Sequence, residues 1–163
     1  MAIKCAIKPA VPASPTTTTN VNTVVINWTA PVTDNGAELS AYRVLIRHSD
    51  SATYSEELIT CNGNQFVDTR TCTIPFTTLM DEPWLLTEGT SIFAKIVAIN
   101  EIGESDQSAR GNGATLVISD VPDRPFGLSR EHQLTTTSQI GLMWNAPLND
   151  GGQALIDYRI WFD

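Results

Sequence analysis

The chain has 163 residues, 42% apolar and 17% charged, and its 10 Lys and Arg against 18 Asp and Glu leave a net charge of −8. That length suits one or two domains of about 100–200 residues each, and an acidic balance with no basic stripe argues against nucleic acid or an anionic membrane surface as partner. No apolar run is long enough to cross a bilayer, and two His and three Cys leave few of the side chains from which metal sites and nucleophilic triads are built.

Taken in chain order, residues 1–15 (MAIKCAIKPAVPASP) lack the long apolar stretch and small-residue cleavage site of a secretory signal. Val24, Ile26 and Trp28 then alternate with Val25, Asn27 and Thr29, and after the turn signal Asp34-Asn35-Gly36 the alternation resumes. There Tyr42, Val44 and Ile46 oppose Arg43, Leu45 and Arg47. Asn62-Gly63-Asn64 marks another turn, and Ile92, Ala94, Ile96 and Ala98 alternate with Phe93, Lys95, Val97 and Ile99 before the turn at Ile102-Gly103-Glu104. A period of two predicts strands with one face on a core. Seven short strands in about 105 residues predict an all-β, two-sheet sandwich. The final residues, IDYRIWFD, stop within another alternating strand, which suggests a segment of a longer chain.

The chain also repeats itself. Asn27-Trp28-Thr29-Ala30-Pro31 matches Met143-Trp144-Asn145-Ala146-Pro147, and the stretch from Asp34 to Val44 matches Asp150 to Ile160. Trp28 to Trp144 and Tyr42 to Tyr158 are both 116 residues apart. Val11-Pro12-Ala13-Ser14-Pro15 matches Val121-Pro122-Asp123-Arg124-Pro125 at an offset of 110, which places a six-residue difference in the first hairpin. The expected organisation is a last-strand remnant of a preceding repeat over 1–8, a complete domain over 9–119, and the first half of a second domain, about three strands, over 120–163.

These residues carry a specific likeness. Trp28-Thr29-Ala30-Pro31, Asp34-Asn35-Gly36 and Tyr42-Arg43-Val44 resemble the first half of a fibronectin type III domain. Leu79, Gly89, the run from Ala94 to Ser105, and Ser108 resemble its second half. The resemblance covers nearly all of 9–163 and implies an immunoglobulin-like, seven-stranded sandwich followed by a partial copy. Two departures stand out. Ile92 occupies the place where the family usually has Tyr, so the tyrosine corner is missing and that loop must be fixed otherwise. Cys61 and Cys72 are atypical too, and a pair at this location is more similar to long tandem-repeat surface proteins of single-celled eukaryotes.

The candidate sites follow. Cys61 and Cys72 flank a polar, Gly- and Asn-containing loop. They read either as a disulfide or as two thiols, with the bridge favoured because the spacing brackets a loop. A bridge implies an oxidising compartment, and Cys5 is left to pair upstream, cross-link chains or be buried beside Ile3 and Ile7. Asn27-Trp28-Thr29 is an N-glycosylation sequon whose Asn27 points outward. The Thr runs at 16–19 and 135–137 are β-favouring residues or acceptors of O-linked sugar. Leu45, Phe93, Val97 and Ile99 form an expected apolar interaction surface on an outer sheet face, with Trp161 at the same place in the next copy. The competing expectation is that the stems of Arg43, Arg47 and Lys95 cover it.

No catalytic residue, metal or cofactor is implied. His48 and His132 lack partners at metal spacing. Asp34 and Asp150 read as turn residues, Asp81-Glu82 falls short of a calcium loop, and Arg110-Gly111-Asn112 carries Asn where the integrin tripeptide has Asp. Trp84 is expected to plug one end of the sandwich. The expected function is a non-enzymatic structural or spacer repeat of a secreted or cell-surface tandem-repeat protein, with assembly into an extracellular filament as its further expectation. Its expected partners are neighbouring repeats, copies of itself or another surface protein. Three alternatives stand beside it: a ligand-binding adhesion or receptor ectodomain using the Leu45/Phe93/Val97 face, an accessory module of a secreted enzyme, and an intracellular muscle-type array if the cysteines are reduced.

Overall fold

The computed structural model describes residues 5–162, and the chain divides into two compact units between Val117 and Ile118. In the first unit β1 (Thr16–Asn20), β2 (Thr23–Asn27) and β5 (Thr71–Pro75) form one antiparallel sheet in the order β1-β2-β5. A second sheet runs β4-β3-β7-β8, from β3 (Leu39–Arg47), β4 (Tyr54–Glu56), β7 (Ala94–Asn100) and β8 (Gly103–Glu104). The one α-helix among the described residues, α1 (Phe76–Met80), follows β5, and a short pair joins β6 (Ser91–Ile92) to β9 (Ala114–Thr115). The result is an all-β sandwich.

The period of two explains its core. Val24, Ile26 and Trp28 meet Tyr42, Val44 and Ile46 from the facing sheet, with Ile74, Ile92, Ala94, Ile96 and Ala98 filling between them, all buried. The Trp28 ring stands edge-on to Tyr42 at 5.7 Å and 68°, an arrangement that suits the charge distribution of aromatic rings. Burial pushes the Tyr42 hydroxyl above its ordinary pKa of 10.0, while nearby Arg70, not at hydrogen-bonding geometry, partly offsets this.

Without a corner tyrosine at Ile92, the chain between β5 and β6 is held by packing and backbone bonds. Phe76, Leu79, Trp84 and Leu86 are buried there. Leu86 N–H donates to Leu79 O, Ser49 N–H to Trp84 O, Gly89 N–H to Leu116 O and Leu116 N–H to Thr90 O. Trp84 packs edge-on against His48. The alternating run from Ile92 to Ile99 is one strand in the sequence and two in the structure, because the chain leaves β6 at Phe93 before entering β7.

The last strand of the sandwich is irregular as well. Ser105, Ser108 and Gly111 N–H donate in turn to the carbonyls of Ala98, Ile96 and Ala94. The Ser105 and Ser108 hydroxyls accept from Ala98 and Ile96 N–H. Three residues of this edge therefore advance for every two of β7. An edge with so few regular N–H and C=O groups is a poor template for stray strand pairing.

The second unit contains the hairpin β10 (Phe126–Glu131) and β11 (Gly141–Asn145). Ser129 pairs with Met143 and Arg130 with Leu142, as Thr16 pairs with Asn27 and Thr17 with Ile26. The first strands of the two copies are thus offset by 113, three short of 116, and not by 110. The Pro triplet spacing at Pro9, Pro12 and Pro15 permits either match, and the hydrogen bonds select Pro9 with Pro122 and Pro12 with Pro125. The longer β10–β11 connection absorbs the three residues.

Residues 153–162, where alternation predicts a third strand, form no paired strand. Their counterpart β3 pairs with β7, and no described residue of the second unit plays the part of β7. Residues 1–4 of the expected remnant lie outside the described residues; residues 5–8 make no strand pairing, and Ile7 N–H donates to Asn35 O.

Candidate functional site

The outer face of the four-stranded sheet is the surface where the chain gathers its charged and aromatic side chains. Register sets Arg43 opposite Val97, Leu45 opposite both Lys95 and Glu56, and Arg47 opposite Tyr54. Arg47 N–H also donates to Phe93 O, which brings Phe93 beside it. Two of the four expected apolar contact residues are not exposed: Leu45 is 6% and Val97 3% accessible. Alternation does not encode this burial; their register partners Glu56, Lys95 and Arg43 carry long polar side chains of the kind whose stems cover apolar surface. Phe93 and Ile99 are half-buried.

The two ends of this face differ in charge. At one end Arg43 bridges Glu56 of β4 and Glu104 of β8, the latter at 3.1 Å. The Glu56 hydrogen bond raises the guanidinium pKa further above its usual value. At the other end the Phe93 ring lies between two guanidinium groups, Arg47 at 4.3 Å and Arg110 at 4.8 Å. Next to them the Lys95 ammonium sits 4.4 Å from the Tyr54 ring centre and donates to Gln107 Oε1 at 3.2 Å. None of the ion pairs found among the described residues involves these three cations. The Arg47 Nε is buried without a hydrogen-bond partner. Asp50, in the adjoining turn, directs its carboxylate at its own loop. The Thr53 hydroxyl and the N–H groups of Ala52 and Thr53 donate to it and lower its pKa to about 2.

The remaining sequence candidates are dispersed. Cys61 and Cys72 form a disulfide with Cα atoms 5.2 Å apart, and Cys5 is free and exposed. Next to the bridge lies a buried carboxylate that sequence reasoning missed. Glu57 accepts hydrogen bonds from Ile59, Thr60 and Cys61 N–H and from the Thr60 hydroxyl, at 2.7–2.8 Å. Gly63 then presses the disulfide loop onto β3, where a Cβ would fall 2.0 Å from Tyr42 O. Asn27, the last residue of the central strand β2, and Thr29 just beyond it are both exposed. In the second unit Trp161 is 85% exposed.

Asp34 and Asp150 act as turn residues in matching loops. Asp34 accepts from Gly36 N–H and Asp150 from Gly152 N–H, at 2.8 and 2.9 Å. Asn35 and Gly36, like Gly151 and Gly152, have positive φ. The leading segment of each unit docks on the same loop: Ile7 and Ala10 N–H donate to Asn35 and Thr33 O, and Asp120 and Asp123 N–H to Gly151 and Asn149 O. Trp144 and Tyr158 repeat the edge-on pair at 5.4 Å and 66°. His48 Nε2 lies 2.8 Å from the Ser55 hydroxyl. Among the described residues no three His, Cys, Asp or Glu side chains converge on a metal position, and no helix is long and apolar enough to cross a membrane.

No family sequence profile matches the chain. Its structure is similar to a titin crystal structure at 17% identity and a TM-score of 0.52, covering 68% of this chain and 32% of the titin chain. It is similar to the twitchin kinase region from C. elegans at 19% identity and a TM-score of 0.53, covering 77% of this chain and 19% of that one. It also matches the sixth fibronectin type III domain of a human fibronectin type III domain containing protein, at 16% identity and a TM-score of 0.53, covering 74% of this chain and 96% of the domain. The chain thus spans about a third or less of the titin and twitchin chains it matches. At these identities the likeness establishes a shared fold.

Proposed function

From a fibronectin type III fold, we propose that this chain is a non-enzymatic spacer segment of a secreted or cell-surface tandem-repeat protein whose arrays assemble into an extracellular filament. The observation that carries the reading is the repetition of one loop in both units. The Asp caps, the positive-φ pair and the docked leading segment recur at Asp34 and Asp150, and the Trp–Tyr pair recurs with nearly the same geometry. Successive copies built this way suit mechanical spacing. The Cys61–Cys72 disulfide supports an oxidising compartment, and the exposed sequon is compatible with it.

Electron microscopy of the protein in its native preparation tests the proposal. Filaments with an axial repeat near one domain are expected. Dispersed strings of beads overturn the filament assignment, and reduced Cys61 and Cys72 in native material overturn the compartment.

A further inference from the structure

We propose that the cationic end of the four-stranded sheet face, formed by Arg47, Lys95 and Arg110 on the rings of Tyr54 and Phe93, is a contact surface for the acidic surface of a second copy of this chain. For its partner the inference rests on the assembling-repeat reading above.

Three observations carry it. The first is isolation of charge: the ion pairs of the first unit use Lys8 and Arg43, while Glu56 turns to Arg43 and Asp50 to its own loop. Three cations are thereby gathered without an acid in contact. The second is the buried Arg47 Nε, a donor with no acceptor. Such a donor is costly when left alone, and it belongs to a guanidinium on a half-buried residue whose planar geometry is well matched to a carboxylate. The third is complementarity. The chain carries −8 overall, so with three of its ten Lys and Arg collected here the rest of its surface is richer still in carboxylates. A copy of the chain therefore supplies the complement, and such pairing is steered by long-range fields. The rings hold the cations in place, through cation–π attraction. At the offset of 116 the place of Arg47 is taken by Asp163, so this combination belongs to one repeat and not to all.

Sedimentation velocity over a concentration series of the purified chain tests the inference. Self-association is expected in about 0.1 M salt, and it should weaken at least tenfold at about 1 M, where the screening length falls from about 10 to about 3 Å. The double variant Lys95→Glu, Arg110→Glu changes only side chains on the outer face and should weaken association to a similar degree while leaving the thermal transition in place. Arg47→Gln, which also touches a buried atom, serves as a second variant. Polyglutamate should compete with self-association. A chain that stays monomeric in every condition overturns the inference, whether or not a sulfated glycan binds the patch. Equal association of wild type and the double variant overturns it as well, and in that case filaments in native material would still support the spacer reading through another surface.

Discussion

Four hydrogen bonds converge on the Glu57 carboxylate, from three consecutive residues that lead into Cys61. The group is buried and so is its bond from Cys61 N–H, whereas the donors on Ile59 and Thr60 lie closer to solvent. Glu57→Ala strands the buried Cys61 N–H, at about 1–3 kcal/mol for a buried donor left unpaired, and is expected to cost about 1–3 kcal/mol in urea unfolding. Glu57→Gln retains one acceptor oxygen and should cost less. A loss below about 1 kcal/mol for the alanine variant would mean that the disulfide alone holds the loop. Nothing in the run Glu56-Glu57-Leu58 marks this residue beforehand. Charged side chains are seldom fully buried, and only the fold of the loop reveals which of two adjacent glutamates turns inward. The Asp34 turn differs in kind, because an Asp two residues before a Gly with positive φ satisfies its partners locally, and local partners are visible in a string of letters.

At the scale of elements, the same division between local and distant causes applies. Strands β2, β3 and β7 follow from alternation, since one buried face imposes a period of two. The exposure of their other face depends on what crosses over it, which alternation does not encode; Leu45 and Val97, opposite Glu56, Lys95 and Arg43 in the register, are buried on that face. The break at Phe93 and the three-for-two advance of residues 105–111 also depend on a neighbouring strand. The disulfide was legible because it closes a short loop. Replacing both Cys61 and Cys72 by Ser frees an 11-residue separation in the unfolded chain, and by the chain-entropy argument should lower stability by about 3 kcal/mol. Urea midpoints with and without reductant, compared between wild type and the double variant, measure it. Wild type under reductant should fall to the level of the variant, and an unchanged midpoint would show that the loop is already ordered without the bond.

Across the whole molecule, equivalent residues meet opposite environments in the two units. Val24, Ile26 and Ile46 are fully buried, whereas their counterparts Ile140, Leu142 and Phe162 are 75%, 38% and 93% exposed. The apolar face of the second unit meets no facing sheet of its own among the described residues, and an uncovered face of this kind binds small apolar dyes. Anilinonaphthalene sulfonate fluorescence is expected with the full chain and not with a fragment of residues 1–117, which should keep a single cooperative unfolding transition because its core is closed. Equal fluorescence from both would place the dye site in the first unit. Sequence repetition revealed which residues are equivalent and that residues 120–163 match only the first half of the complete unit; the degree of exposure of each apolar side chain is what the structure adds.

The docked leading segment has a consequence for how such a chain is lengthened. Each unit fastens its own leading segment to its own loop, through Ile7 and Ala10 in one case and Asp120 and Asp123 in the other. Both halves of each clasp lie within one unit and are inherited together. A duplicated stretch carries both halves of its own clasp, and inserting or deleting a copy asks no compensating change of the one before it. Chain growth by whole modules is then the cheapest edit available, and length becomes a quantity that can change without disturbing the fold of any single bead.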